Sequence, residues 1–307
     1  MRPRALARFA ALLALGLLAA WTVRSSAAPP EKADATLRLG VIAEEPNEPD
    51  RMFKVFADFL GELRRRLAPS GIAVGELVIA RDLDDLSQRL SARGVDLVLE
   101  TVFPLLALRE RSRNLEPALL VVRRGEREYR SVFFTRKDSP IQELADLRGR
   151  TLVLQALRST SAFALPRAEL LRSGLRLLPA DDTALDASAV RYVLALAEVN
   201  QAVWVLHDKG DAGAFNEGDW HALPEKVRAQ LRIFKRTRSL PRGLIAIRAD
   251  LDPKVRRALE DVLVSLHHDE PGRAALAKAQ GVTRFERLTP AEQRSVLAWG
   301  SFLMRAR

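Results

Sequence analysis

The feature that most constrains this chain is a repeated alternation of strand and helix signals. Leu37-Arg38-Leu39-Gly40-Val41-Ile42 reads as a strand. Pro49 then suits a first helical position, where its missing N–H is no loss. Phe53, Phe56, Leu60, Leu63 and Leu67 follow at helical spacing until Gly71. Gly75 to Ala80 reads as a second strand, Leu83 to Leu90 as a helix closed by Gly94, Val95 to Leu99 as a third strand and Phe103 to Ser112 as a further helix. Parallel strands need such crossovers, so this order predicts a parallel, doubly wound sheet.

A second α/β block opens near Tyr129. Tyr129 to Thr135 reads as a strand, followed by a turn at Arg136-Lys137-Asp138-Ser139-Pro140 and a short helix from Ile141 to Leu147 that Gly149 stops. Thr151 to Leu154 is a strand, and Ser159-Thr160-Ser161 precedes a helix running to Arg172. Asn200 to His207 reads as helix and Asp211 to Phe215 as a short buried strand. From Pro253 onward the spacing of Val255, Leu259, Val262, Leu263 and Leu266 predicts helix. Two blocks joined by two chain crossings imply two lobes: residues 36–127 and 248–307 in the first, 128–247 in the second, with a cleft between.

The N-terminus predicts export. Arg2, Arg4 and Arg8 precede the apolar run Phe9 to Trp21, which has the length of a signal-peptide core and is shorter than a membrane span of roughly 20 residues. Small residues at Ser25 and Ala27 suit cleavage before Ala28, giving a signal peptide over 1–27 and a linker over 28–35. An uncleaved anchor is the alternative, because Thr22 and Val23 lengthen the run. The chain has no cysteine, hence neither a lipoprotein anchor nor a disulfide. Periplasm is the expected compartment.

Composition narrows the function classes. The formal charge is +10, but Arg2, Arg4, Arg8 and Arg24 belong to the leader, which leaves +6. The surplus is arginine scattered over helices such as Leu63-Arg64-Arg65-Arg66. Zinc spacings and aromatic-interleaved basic stretches are missing, so no nucleic-acid partner is expected. No serine sits in a Gly-x-Ser-x-Gly elbow, and Ala43-Glu44-Glu45-Pro46 after the first strand is not a glycine-rich phosphate loop. His207-Asp208 and His268-Asp269 lack further ligands at metal spacing. The expectation is a binding protein with no catalytic residue, metal or cofactor.

The sharpest chemical feature is Ser159-Thr160-Ser161. Three hydroxyls at a strand-to-helix junction can cap the helix, and the helix start adds unpaired N–H groups and the positive dipole end. Such a junction can hold an anion, with Arg158 adding charge. An ordinary N-cap is the plainer alternative.

Four segments, taken in order, resemble the phosphate/phosphonate-binding proteins of ABC importers. They are Tyr129 to Ile141 with Leu144-Ala145-Asp146-Leu147-Arg148-Gly149; Ser159-Thr160-Ser161 with Leu165-Pro166-Arg167-Ala168; Trp204-Val205-Leu206 with Asp211-Ala212-Gly213-Ala214; and Ala249-Asp250-Leu251-Asp252-Pro253. The resemblance spans about residues 37–285. It implies the type II periplasmic-binding-protein fold and an importer's ligand-binding role, with an inner-membrane ABC permease as partner and a phosphate, phosphite or phosphonate oxyanion as ligand. A sensing module serving a membrane kinase, or a member with a different ligand, stays open as the alternative.

Carried over residue by residue, the resemblance puts Ser159, Thr160 and Ser161 on the phosphoryl oxygens, and Thr101 and Phe103 on the ligand from the first lobe. Tyr129 and Arg130 lie at the crossing, and Asn200, Asn216 and Glu217 at cleft-facing positions of the second lobe. The departures are Ala156-Leu157-Arg158 where the family has Asp-Pro-Gly, Ala162 where it has glycine, Phe103 where it has tyrosine, and Glu198 near a position that some members fill with histidine. Glu44 and Glu45 would oppose an anion, or pair with a ligand amine.

Overall fold

The structure, a computed structural model, describes residues 35–43, 48–183 and 186–304. The leader expected over 1–27, the linker up to residue 34, and Glu44 and Glu45 lie outside them. Two six-stranded sheets carry the fold. The first runs in the order Val282–Arg287, Leu115–Arg123, Leu244–Arg248, Leu97–Glu100, Leu39–Ile42, Val78–Ala80. The second runs Leu177–Pro179, Val190–Leu194, Thr151–Leu154, Ala212–Asn216, Ser131–Arg136, Leu231–Arg236.

Pairing is parallel where consecutive strand–helix units build the sheet, as among Leu97–Glu100, Leu39–Ile42 and Val78–Ala80. The same holds from Leu177–Pro179 through Ala212–Asn216. It is antiparallel between Val282–Arg287 and Leu115–Arg123 and at the two strands by which the chain enters a lobe from the other one. Ser131–Arg136 runs against both its neighbours in the second sheet, and Leu244–Arg248 against both of its own in the first. Each is fed by one side of a two-stranded antiparallel ribbon, Glu128–Tyr129 with Leu240–Pro241, which is the crossing between the lobes. The helix Pro290–Met304 touches Val102–Arg111 of the first lobe and Leu165–Arg172 of the second.

The helix Glu48–Leu67 buries Met52, Phe56, Phe59, Leu60, Leu63 and Leu67 in the first core, where Phe59 meets Phe285 at a ring separation of 6.0 Å. In the second core Phe134 and Phe215 lie 4.5 Å apart. Gly213 is required there, because a Cβ would sit 2.3 Å from the Phe134 ring. The buried Gln201 amide donates to the carbonyls of Val153 and Ala214, tying helix Glu198–Leu206 to two strands.

Several segments differ from the sequence reading, among them the strands Leu177–Pro179, Val190–Leu194, Leu231–Arg236 and Leu244–Arg248, which it did not identify. Leu115–Arg123 is a nine-residue strand with no sequence signal of its own. Pro117 through Val122 are all buried, so the run shows no alternation and cannot be told from buried helix by periodicity. The stretch after Pro253 is not helical throughout: helices Pro253–Ser265, Glu270–Lys278 and Pro290–Met304 are interrupted by the strand Val282–Arg287. Gln280 and Gly281, at φ 58° and 71°, are left-handed residues that end the preceding helix and turn the chain into the sheet. The helix expected from Ile141 shrinks to a single 3-10 turn, Leu144–Leu147.

Candidate functional site

The carboxyl ends of the strands Leu97–Glu100 and Thr151–Leu154 face one another across the interlobe cleft. Open α/β sheets place ligands at such strand ends. The cavity there holds about 340 Å³, within the range of pockets for small organic ligands.

Most of the second lobe's wall is one run after the strand Thr151–Leu154: Gln155, Ala156, Arg158, Ser159, Thr160 and Ser161 all line the cavity. Ser159 is the N-cap, and its hydroxyl accepts from the Ala162 N–H at 3.0 Å. Thr160 to Ala164 forms one wide π-turn before the regular helix Leu165–Arg172, with Ala162 out of helical geometry at φ −106°, ψ 15°. Ala162 stands where the resembling family has glycine, so the kink forms without one. Ser131 Oγ donates to the Ser161 carbonyl at 2.6 Å and anchors this loop to the strand that enters the lobe.

Thr160 joins the two lobes. Its hydroxyl donates to Thr101 Oγ1 at 2.9 Å and accepts from the Phe103 N–H at 3.0 Å. Thr101 sits at the start of helix Val102–Arg111 but makes no side-chain cap, leaving its hydroxyl for this cross-cleft bond. Beside it Arg158 pairs with Glu100 at 2.9 Å, and Glu100 also accepts from the Thr101 N–H at 2.9 Å. This cross-lobe ion pair is largely shielded, with the Arg158 and Glu100 side chains 22% and 14% exposed.

Tyr129, on the crossing ribbon, forms the cavity floor together with Arg242, whose guanidinium lies 4.7 Å above the ring. Burial pushes the Tyr129 phenol up to about 12, against the Arg242 charge and the Thr160 and Ser161 hydroxyls. A neutral phenol at that position keeps its proton to donate. Arg242 also faces Glu126 at 3.6 Å.

The first lobe's wall is assembled from separated places: Val41 and Ile42, Arg51 and Met52, Leu99 to Thr101, Pro104, Arg123 and Gln280. Arg123 Nη2 donates to Gln280 Oε1 at 2.6 Å, and Gln280 Nε2 reaches Met52 Sδ at 3.8 Å. Burial lowers the pKa of Arg123. On the second lobe Glu198 and Asn216 complete the lining. Behind Asn216 lies Asp219, which burial and the nearby Glu198 raise to about 6.

Of the residues singled out in the sequence, Thr101, Tyr129, Ser159, Thr160, Ser161 and Asn216 come together on this cavity. Phe103, Arg130, Asn200 and Glu217 do not line it. The Phe103 ring is buried, and only its backbone reaches Thr160. Arg130 lies 3.3 Å from Glu217, which also binds Arg236 at 2.6 Å. Asn200 braces its own loop by donating to the Ala195 carbonyl at 3.1 Å. Asn216 is itself an N-cap, accepting from the Asp219 N–H at 3.0 Å. Arg51, Arg123, Arg242 and Gln280 carry no local motif; only the topology brings them to the cleft.

Comparison with known proteins bears on the family and the fold. The family model for periplasmic substrate-binding proteins of ABC phosphonate transporters matches residues 42–293. XAC2383 from Xanthomonas citri, solved with chloride ion bound, is 33% identical, with a TM-score of 0.80 over 89% of this chain and 98% of that one. A second structure of XAC2383, bound to ATP, is 32% identical over the same shares with the same TM-score. PhnD1 from Prochlorococcus marinus in complex with methylphosphonate shares the fold at 18% identity, with a TM-score of 0.62 over 89% of this chain and 99% of that chain.

Proposed function

The chain belongs to the periplasmic substrate-binding family of ABC phosphonate transporters, and on that premise we propose that it captures a phosphate- or phosphonate-class oxyanion in the interlobe cleft and delivers it to an inner-membrane permease. The observation that carries this reading is the meeting of the hydroxyl run Ser159–Ser161 with Arg158, Tyr129 and Thr101 in one cavity. Hydroxyls and a guanidinium fix phosphoryl oxygens by short, charge-assisted hydrogen bonds, and the guanidinium supplies the opposite charge. XAC2383, the relative at 33% identity, is described with anions, chloride and ATP, and this supports an anionic ligand here as well.

The family is a transporter's binding component and not an enzyme, and the mechanism proposed here needs no bond-breaking step. Ligand bound to one wall recruits the other by bending at the ribbon Glu128–Tyr129 with Leu240–Pro241. Contacts from both lobes then favour the closed form by as much as they exceed those available in the open one. The closed form docks on the permease in the periplasm, reached through the N-terminal leader.

A thermal-shift series with phosphate, phosphite, methylphosphonate, sulfate and ATP tests the reading. A ligand at 100 times its Kd adds about 2.7 kcal/mol to the native state, so Tm rises by several degrees for at least one phosphorus oxyanion. Ser159→Ala with Thr160→Ala removes that rise. If all five leave Tm unchanged at millimolar concentration, the proposal fails. An undiminished rise in the double variant puts the site elsewhere.

A further inference from the structure

We infer that the cleft holds two anionic groups of a single ligand, the second on a guanidinium subsite of the first lobe built from Arg123 and Gln280, so that the preferred ligands are linear diphosphates and polyphosphate esters. This rests on the oxyanion reading above and narrows its substrate class.

Arg123 ends the strand Leu115–Arg123 and lines the cavity. An arginine in a protein stays charged, and a charge withdrawn from water is costly unless an opposite charge meets it. Other shielded arginines have such partners: Arg158 has Glu100, Arg242 has Glu126, and Arg248 has Asp96 and Asp250. Arg123 does not. Among the described residues no carboxylate lies within ion-pair range of it, its Nε is buried without a hydrogen-bond partner, and its Nη2 bonds only the neutral amide of Gln280. The acid whose field reaches it, Glu100, has one oxygen on Arg158 and the other on the Thr101 N–H. A desolvated cation lining a cavity, with no counter-charge beside it among the described residues, is a position for an anionic ligand group.

The subsite is also held in place. Gln280 sits in a left-handed turn at φ 58°, its amide oxygen on Arg123 and its amide nitrogen toward Met52 Sδ. That arrangement fixes one arm of the guanidinium fork while Arg123 lines the cavity. Arg51, on the first turn of helix Glu48–Leu67, adds a further guanidinium to the same wall. The hydroxyl run with Arg158 occupies the opposite wall of the same cavity, and the two sets belong to different lobes. A cavity of about 340 Å³ is sized for an organic ligand, and Ile42, Met52, Leu99 and Pro104 provide apolar lining that an inorganic ion does not use. A ligand with one anionic group for each wall satisfies both lobes at once, which is also what closure demands.

Isothermal titration of the protein with phosphate, diphosphate and methylenediphosphonate, in wild type and in Arg123→Met, provides the test. Hydrogen bonds to charged groups are worth about 10- to 100-fold in affinity. Wild type binds diphosphate and methylenediphosphonate at least tenfold more tightly than phosphate, and Arg123→Met loses most of that preference. Because it removes an unpaired charge, Arg123→Met also raises the Tm of the ligand-free protein, whereas a structural arginine would lower it. Arg123→Lys retains charge without the fork, so it keeps part of the preference and shows an intermediate ratio. Equal affinity of wild type for phosphate and diphosphate overturns the two-subsite inference and leaves the oxyanion reading standing. Equal weakening of both ligands by Arg123→Met also overturns it, since one anion would then touch both walls. Binding of none of the three probes defeats both readings.

Discussion

The two walls of the cleft do comparable work by different routes. The second lobe's wall is mostly one stretch of chain, Gln155 to Ser161, whose shape follows from a strand end, an N-cap and a kinked first turn, with Glu198 and Asn216 added from elsewhere. The first lobe's wall is gathered from six places between Val41 and Gln280, and no two of its arginines are close in sequence. The local wall supplies hydroxyls that are already hydrogen-bonded, to the helix start and across to Thr101 and Phe103. The distributed wall supplies charge, with Arg123 held by a neutral partner. A wall made of one loop can be altered one residue at a time, whereas the other depends on the register of a whole sheet.

Thr160 belongs to both walls, and the largest effect is expected there. Thr160→Val keeps the shape and removes the hydroxyl, which leaves the Phe103 N–H without its acceptor. An unsatisfied buried donor costs about 1–3 kcal/mol. Tm should fall by several degrees and oxyanion affinity by about tenfold or more. An unchanged Tm would mean that the lobes do not touch at this point in the free protein.

Asp219 tests the charge behind the second wall. Its folded pKa of about 6 lies above the roughly 3.9 of an unfolded aspartate. Between those two values the folded protein keeps a proton that the unfolded chain has released, so stability declines as pH rises through this window. Asp219→Asn removes the decline. Its Tm should exceed that of wild type by a few degrees at pH 7 and match it near pH 4; a gap independent of pH would refute the assignment.

Glu100 tests whether the walls compete with the ligand. Glu100→Gln frees Arg158 from its carboxylate and removes a negative charge from the cavity. Oxyanion affinity should rise several-fold, about 1 kcal/mol by titration calorimetry. A fall would show that Glu100 serves to position Arg158. The smallest effect is expected at Arg130, whose exposed contact with Glu217 stands off the cavity. Arg130→Ala should leave affinity within about twofold and stability within about 0.5 kcal/mol; a larger loss of affinity would return it to the site.

The same contrast explains what was legible in the sequence. Helix Glu48–Leu67, strand Thr151–Leu154 and the cap at Ser159 follow from local patterning, and their expected and observed positions agree within a residue or two. The hydroxyl run could therefore be located before any fold was known. Leu115–Arg123 could not, because burial on both faces erases periodicity, and with it went the notice that Arg123 ends a strand at the cleft. Gln280 was hidden inside a stretch read as helix, although Gly281 was available as a stop signal. Phe103, Asn200 and Glu217 sit within two residues of cavity-lining positions in sequence. Their side chains turn elsewhere, because helix starts send successive residues in different directions.

The most direct test of the account is a crystal structure of the protein grown with methylenediphosphonate. The account predicts one phosphonyl group on Ser159, Thr160, Ser161 and Arg158, the other on Arg123, and closed lobes around the ligand. A ligand bound outside the cleft, or a cleft that stays empty at saturating concentration, would contradict it.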